Sequence, residues 1–225
     1  MKRAKLIRVA IYVASLLAAL TLVIGVLHTK AARPLLARLG MKCPLQGSAA
    51  DVEAARLKSA RAQRGTEAAT SRPALGFSLD GMTLSDVKTW ADKNHVSCDE
   101  VRKGSFLRCS DVPESALGGS GPTVSQLDLG FSPTSQHLVN VSAWRSGMTS
   151  AAAAQQMNAV VASMKEQVGP PTNEAGDRSA AYLAAAPMRT AVVEYRFSDY
   201  SADLSATNIP GRGLMLREHY MSARD

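Results

Sequence analysis

The sequence predicts an α+β fold, in which two helix-plus-antiparallel-sheet repeats follow an N-terminal transmembrane helix and a helical stalk. Three observations predict it: an uncharged apolar run near the N-terminus, a three-residue motif that occurs twice, and a change of hydrophobic period after each copy. With 225 residues, 46% of them hydrophobic and 20% charged, the chain can form one or two packed domains. This composition excludes wholesale disorder and a collagen-like fibre.

The net charge of +7 is concentrated near the N-terminus. Residues 1–75 carry thirteen Lys and Arg against three acidic residues, a net charge of +10, whereas residues 76–225 carry a net charge of −3. Basic residues beside an apolar segment attract anionic lipid head groups, at about 1 kcal/mol each. The charge distribution therefore indicates contact with a membrane surface. Because aromatic residues are also only 5% of the chain, we expect no nucleic-acid partner.

The run at residues 9–27 contains no charged residue. As a helix rising about 1.5 Å per residue, it is long enough to cross a hydrocarbon core of about 30 Å. We predict a basic cytoplasmic tail at residues 1–8 and an uncleaved, single-pass anchor at residues 9–27 that contacts the lipid bilayer. A cleaved signal peptide is the alternative, although its apolar region is usually only about 7 to 15 residues. Lys and Arg flank both ends of the run, so the positive-inside rule leaves its orientation open.

Residues 28–75 are predicted to form a juxtamembrane segment, a helical stalk and a linker. Ser48 is a suitable N-cap for a helix that ends near Gly65, in which Val52 and Leu57 are the only large apolar residues. Such a thin apolar face is typical of a polar spacer that holds a domain away from the bilayer. The alternative is a helix that lies along the surface of the domain.

A short motif marks the start of two predicted repeats, at residues 76–146 and 147–225. Gly81-Met82-Thr83 recurs as Gly147-Met148-Thr149, and each copy precedes an amphipathic helix whose N-cap is the Thr. After each helix the hydrophobic period changes from about 3.6 to 2, which indicates half-buried strands. Strands are predicted at residues 96–103, 105–112, 127–131, 138–144, 190–197, 200–206 and 214–221, with loops at 117–123 and 173–179.

Cys98 and Cys109 are predicted to form a disulfide across a hairpin. If Lys103 and Gly104 form a two-residue turn, Cys98 lies directly opposite Cys109. In that register the two cysteines are a hydrogen-bonded pair, which disulfides use less readily, and a shift by one residue would place them on opposite faces. A disulfide persists outside the cytoplasm, so the pairing predicts a periplasmic domain anchored in the inner membrane. Cys43 is left over, either as an idle thiol or as one end of an intermolecular bridge.

These residues carry a family resemblance that covers residues 77–221. The Gly81-Met82-Thr83 motif, followed by Cys98, Cys109 and the run LDLGFSPTSQHLVNVSAW, resembles one repeat of the β-lactamase-inhibitor-protein family. The motif together with Gly169-Pro170 is similar to the small outer-membrane-assembly lipoproteins of the SmpA/OmlA type. The resemblance implies a repeated α+β fold, with an enzyme inhibitor as one alternative function. The second repeat departs from the pattern because it has no cysteine.

The chemistry-bearing residues show no close pairing along the chain. The four histidines are isolated, and no spacing matches a metal, phosphate or nucleophile motif, so we predict no catalytic, metal-binding or cofactor-binding residue. A candidate partner-binding patch comprises Tyr195, Phe197, Tyr200 and Tyr220, although the alternative places most of them in the core. We predict a membrane-anchored, periplasmic, non-catalytic protein-binding module that is an accessory or scaffold subunit of an envelope or membrane complex. The alternatives are an inhibitor-like protein that binds an enzyme and a periplasmic hydrolase with scattered catalytic residues.

Overall fold

The computed structural model describes residues 48–102 and 104–224. Every helix and strand below belongs to one compact unit, Ala49–Asp225. The predicted basic tail, the apolar run at residues 9–27 and Cys43 lie outside the described residues. Among the residues that the structure describes, no helix is both long enough and apolar enough to cross a membrane.

Eight antiparallel strands form a single sheet, with the order β1-β2-β3-β4-β8-β7-β6-β5. The strands are β1 (Cys98–Arg102), β2 (Phe106–Val112), β3 (Val124–Phe131), β4 (Leu138–Met148), β5 (Asn173–Ala175), β6 (Thr190–Arg196), β7 (Tyr200–Ile209) and β8 (Gly213–Ser222). The strand β5 lies in a segment predicted as loop, because its three exposed residues carry no alternation of apolar and polar side chains.

In the described part of the chain, four α-helices accompany the sheet: α1 (Ala49–Ala62), α2 (Leu84–Lys93), α3 (Ser150–Val168) and α4 (Ala180–Ala184). A 3₁₀ turn at Glu114–Leu117 follows β2. The helices α2 and α3 share one buried cluster with alternate residues of the strands, such as Leu129, Val141 and Leu216. We call the sheet face that carries these residues the inner face and the opposite one the outer face.

The predicted fold class is wrong in dividing the chain into two helix-plus-antiparallel-sheet repeats, whereas the predicted transmembrane helix lies outside the described residues. The strand β4 pairs with β8 from Asn140↔Met221 to Met148↔Leu214, so both groups of strands belong to one continuous sheet with one core. The physical reason lies in the inner face, where Val141 and Tyr220 are neighbours in register and both are buried. Hydrophobic period shows which residues face inward, but it does not show which strand lies alongside.

The helix α1 is attached to the sheet rather than free of it. The Arg56 guanidinium donates a hydrogen bond of 2.8 Å to the carbonyl oxygen of Ser222, and Gly65 donates one of 3.2 Å from its backbone N–H to the carbonyl oxygen of Phe197. Ala60 of α1 is buried. These contacts match the alternative in which the helix lies along the surface of the domain.

The two repeated motifs lie at the starts of α2 and α3. The Thr83 hydroxyl accepts a hydrogen bond of 3.3 Å from the backbone N–H of Asp86, and the Asp86 carboxylate accepts one of 2.8 Å from the N–H of Thr83. At α3, the Thr149 hydroxyl accepts a hydrogen bond of 3.2 Å from the N–H of Ala152. These bonds satisfy backbone donors that the first helical turn leaves unpaired.

Glycine is required in the two motifs for different structural reasons. A Cβ atom at Gly81 would lie 2.4 Å from the hydroxyl oxygen of Ser78, so a side chain would require that hydroxyl to move. Gly147 has a φ of +70°, in the left-handed region that favours glycine. The two glycines therefore permit the turns that precede the threonine N-caps.

The predicted disulfide between Cys98 and Cys109 is confirmed, and the two cysteines are cross-strand partners. The N–H of Ser110 donates a hydrogen bond of 3.2 Å to the carbonyl oxygen of Ser97, so the neighbouring pair Ser97 and Ser110 is the hydrogen-bonded one. Because the two kinds of pair alternate along antiparallel strands, Cys98 and Cys109 form a non-hydrogen-bonded pair, and the expectation is wrong. The Cα–Cα distance of 4.0 Å also fits a non-hydrogen-bonded pair. The cause is a register irregularity between Glu100 and Arg102, which pairs Arg102 with Phe106 rather than with Ser105.

Candidate functional site

The candidate aromatic patch is not a surface feature. Tyr195 and Tyr200 are fully buried and Tyr220 is 2% exposed, while Phe197 is half-buried and stacks on Tyr200 at 6.1 Å between ring centroids. Tyr195 and Tyr220 are both register partners of Ala202, so all three side chains face the core from the inner face. The prediction of a partner-binding patch at these residues is therefore wrong.

A cleft of about 710 Å³ opens above the inner face of the sheet. One wall is the segment at residues 72–78, which precedes α2, and part of the rim is the glycine-rich loop at residues 118–121. The opposite wall is one face of α3, which contributes Gln156, Ala159, Val160, Ser163, Met164 and Gln167. Glu114, Leu117, Glu218 and Tyr220 complete the lining.

The glycine-rich loop is shaped by the 3₁₀ turn before it. Gly118 ends the turn with a φ of +76°, and its N–H donates a hydrogen bond of 3.3 Å to the carbonyl oxygen of Ser115. The N–H of Gly119 donates a second, of 3.0 Å, to the carbonyl oxygen of Glu114. A Cβ atom at Gly121 would lie 2.6 Å from the side-chain oxygen of Gln156, so the loop backbone approaches α3 closely. The loop therefore forms a closely fitted end of the cleft.

The segment at residues 72–78 is held against the sheet by polar contacts. Arg72 forms an ion pair with Asp80, and the Ser222 hydroxyl donates a hydrogen bond of 2.7 Å to the same carboxylate. The Tyr200 hydroxyl donates a hydrogen bond of 2.6 Å to the carbonyl oxygen of Pro73. Burial raises the pKa of Tyr200, so its hydroxyl stays a donor. This wall of the cleft is thus fixed by side chains from β7 and β8.

A buried arginine binds two carboxylates that line the cleft. Arg145 of β4 is 1% exposed and forms ion pairs with Glu218 of β8 and, at 2.7 Å, with Glu114 of the 3₁₀ turn. Its Nε donates a hydrogen bond of 3.1 Å to the carbonyl oxygen of Pro122. Burial lowers the pKa of Arg145, but the two carboxylates outweigh burial and raise it overall. The arginine thus ties two strands to the loop that borders the cleft.

Tyr220 completes this buried cluster. Its hydroxyl donates a hydrogen bond of 2.5 Å to Oε2 of Glu218, while Oε1 of the same carboxylate accepts from Arg145. Burial, followed by the charge of Glu218, raises the pKa of Tyr220 well above its ordinary value. A tyrosine held protonated and a carboxylate with both oxygens in hydrogen bonds are suited to a structural role. In the described part of the chain, no group of three or more His, Cys, Asp or Glu could hold a metal ion.

Apart from Tyr220, the residues that the sequence singled out lie elsewhere in the fold. The capping residues Gly81, Thr83, Gly147 and Thr149 are at helix starts, and the disulfide joins β1 to β2 at one edge of the sheet. Of the predicted patch, Tyr220 alone lines the cleft.

Sequence reasoning missed Arg145, Glu218 and Glu114. A signal existed for the first two, because both occupy inward positions of strands with period 2: Arg145 follows Ala143, and Glu218 stands between Leu216 and Tyr220. A charged residue at such a position requires a buried partner.

His219 lies on the outer face, away from the cleft. Its Nδ1 is 2.9 Å from Nη2 of Arg217, and its Nε2 is 2.9 Å from the side-chain nitrogen of Asn140. Burial, followed by the charge of Arg217, lowers the pKa of His219 to about 4, against the weaker opposite influence of Asp203. The ring is therefore neutral at pH 7.

Comparison with protein-family models, with curated proteins and with solved structures finds no match for this chain. The resemblance to the β-lactamase-inhibitor-protein family and to the SmpA/OmlA lipoproteins stays a prediction.

Proposed function

We propose that the protein is a non-catalytic protein-binding module, an accessory or scaffold subunit, and that the cleft binds an extended segment of its partner. The cleft itself is the observation that supports this proposal most strongly. Its volume of about 710 Å³ lies within the range of about 300 to 1,000 Å³ that is typical of ligand sites. The cleft lies between the segment at residues 72–78, the loop at residues 118–121 and the helix α3, a position that suits an extended peptide segment.

The lining offers the two kinds of contact that a peptide uses. Apolar side chains come from Leu75, Leu117, Val160 and Met164. Neutral polar side chains come from Ser78, Ser120, Gln156, Ser163 and Gln167, which can exchange hydrogen bonds with peptide groups. A mixture of apolar contact and hydrogen bonding is typical of protein recognition sites.

The cluster on the floor supports binding rather than catalysis. The carboxylates of Glu114 and Glu218 both bind Arg145, and Tyr220 binds Glu218, so these groups hold one another in place. A general base needs a carboxylate that is free to take a proton from a substrate, and both oxygens of Glu218 are engaged by Arg145 and Tyr220. An inhibitor like those of the β-lactamase-inhibitor-protein family would use an exposed aromatic face, whereas Tyr195 and Tyr200 are buried.

The disulfide supports the location that we propose for the domain, which is the periplasm. Cys98 and Cys109 form a bond that persists in oxidising compartments and is rare in the cytoplasm. A partner in the same compartment, part of an envelope or membrane complex, is the counterpart that this location suggests.

A pair of matched variants on α3 tests the proposal. Ala159 lines the cleft and Ala162 does not, yet both are exposed residues of the same helix. The substitution Ala159→Trp places an indole ring in the cleft, and Ala162→Trp adds the same side chain outside it. A random peptide library is displayed on phage and selected on the immobilised, oxidised, full-length protein.

The selected peptides are expected to bind the unmodified protein and Ala162→Trp equally, and to bind Ala159→Trp at least about tenfold more weakly, a difference of about 1.4 kcal/mol. Circular dichroism checks that both variants are folded. Failure to enrich any peptide, or peptides that bind Ala159→Trp normally, would contradict the proposal.

A further inference from the structure

The floor of the cleft carries more negative than positive charge. Arg145 contributes one positive charge, and its two ion-pair partners, Glu114 and Glu218, contribute one negative charge each. Among the described residues that line the cleft, Arg72 is the one Lys or Arg, and it forms an ion pair with Asp80. One carboxylate charge is therefore left in excess at the base of the cleft.

This excess charge has a definite position, on Glu114. Both carboxylate oxygens of Glu218 have partners, Arg145 for Oε1 and Tyr220 for Oε2, and its side chain is fully buried. For Glu114, Oε2 accepts a hydrogen bond of 2.7 Å from Arg145, whereas Oε1 accepts none from any described residue. The Glu114 side chain lines the cleft and is 10% exposed.

A carboxylate oxygen that accepts no hydrogen bond from the protein can accept one from a ligand, and such a bond is strongest when the donor is cationic. The side chains around Glu114 add a second requirement, because Leu117, Val160 and Met164 line the same cleft. A lysine or arginine satisfies both requirements, since its aliphatic stem packs on apolar surface and its charged head lies at the carboxylate. An anionic group would instead meet a carboxylate at the floor.

We infer that the cleft binds a basic side chain of the partner segment, a lysine or an arginine, whose charged head donates a hydrogen bond to Oε1 of Glu114. This inference rests on the proposed function, because it names the chemistry of the segment bound in the same cleft. Arg145 has a positioning role, because it holds Oε2 of Glu114 and leaves Oε1 without a protein donor.

The substitution Glu114→Gln tests the inference on the protein. Glutamine keeps an oxygen that accepts a hydrogen bond from Arg145, and it removes the excess charge. The matched control is Glu166→Gln, an exposed glutamate of α3 that does not line the cleft. Peptides selected on the full-length protein are expected to be enriched in Lys or Arg and to bind Glu114→Gln about tenfold more weakly, with unchanged binding to Glu166→Gln.

A change in the ligand keeps the test valid if Glu114→Gln is poorly folded. The basic residue of a selected peptide is replaced by norleucine, which keeps an aliphatic stem and removes the charge. Affinity for the unmodified protein is then expected to fall about tenfold, a result that needs no protein variant. Where Glu114→Gln is folded, it is expected to bind the two peptides equally.

The outcomes separate the two claims. Peptides that depend on the cleft, as shown by Ala159→Trp, but carry no basic residue or lose nothing with norleucine would overturn the inference and leave the proposed function standing. If no peptide depends on the cleft, the proposed function fails and the inference fails with it.

Discussion

Arg145 and Glu218 form a buried ion pair that joins β4 to β8, the two central strands through which the halves of the sheet meet. The side chain of Arg145 is 1% exposed and that of Glu218 is fully buried. Since a buried charge without a partner is costly, the pair makes the junction of the two halves sensitive to the loss of either residue.

The first prediction concerns that pair. Replacing Arg145 by Met is expected to lower the free energy of unfolding by about 3 to 5 kcal/mol, because Glu218 and Glu114 then lose their shared cation. Urea unfolding measures the change. The double variant Arg145→Met with Glu218→Gln is expected to lose less, since one uncompensated charge is gone; a loss below about 1 kcal/mol for Arg145→Met alone would refute the structural role.

The second prediction concerns the disulfide. Cys98→Ser is expected to lower the free energy of unfolding by about 3 kcal/mol under oxidising conditions, because the bond to Cys109 closes a loop in the unfolded chain. Urea unfolding with and without a thiol reductant measures it. In reductant the variant and the unmodified protein are expected to match, and an equal loss in both conditions would point to packing rather than to the bond.

The third prediction concerns the start of α3. Thr149→Ala is expected to cost about 1 kcal/mol, because the N–H of Ala152 loses the hydroxyl that accepts its hydrogen bond. Thermal unfolding of the variant measures the loss, and Thr149→Ser serves as a control that keeps the hydroxyl. Equal melting temperatures for Thr149→Ala and Thr149→Ser would show that the cap contributes little.

The fourth prediction concerns pH and His219. The pKa of His219 is lowered to about 4 in the folded protein, from an ordinary value of 6.5, so the unfolded chain binds the proton more readily. The stabilisation is therefore fully present above pH 6.5 and is lost as the pH falls towards about 4, by up to about 3 kcal/mol. Urea unfolding from pH 7 to pH 4 measures the slope. In His219→Gln this part of the slope is expected to disappear, and an unchanged slope would rule out His219 as its source.

Local signals in the sequence predicted local structure well. Thr83 and Thr149 lie at N-caps because the hydroxyl, the backbone donors and the following apolar period are all within one helical turn. Cys98 and Cys109 were placed opposite each other from the length of one hairpin. In each case the partners are close in the chain, so their spacing alone carries the information.

The cleft was not predictable in the same way, because its parts are distant in sequence. Arg145 and Glu218 are separated by 73 positions, and their contact depends on the pairing of β4 with β8. The period of each strand marks both residues as inward-facing, but no local signal names the partner. The same reason explains why the aromatic residues of β6, β7 and β8 were misplaced: whether a strand face is covered depends on the whole sheet.

Hydrogen exchange of the full-length protein, followed by mass spectrometry with and without a selected peptide, tests most directly the claim that the cleft binds a partner segment. Binding is expected to slow exchange in the two backbone segments that border the cleft, residues 72–78 and 118–121, with no change in β1 at the far edge of the sheet. In Ala159→Trp the same peptide is expected to slow neither segment. Protection confined to the outer face or to the β1 edge would contradict the claim.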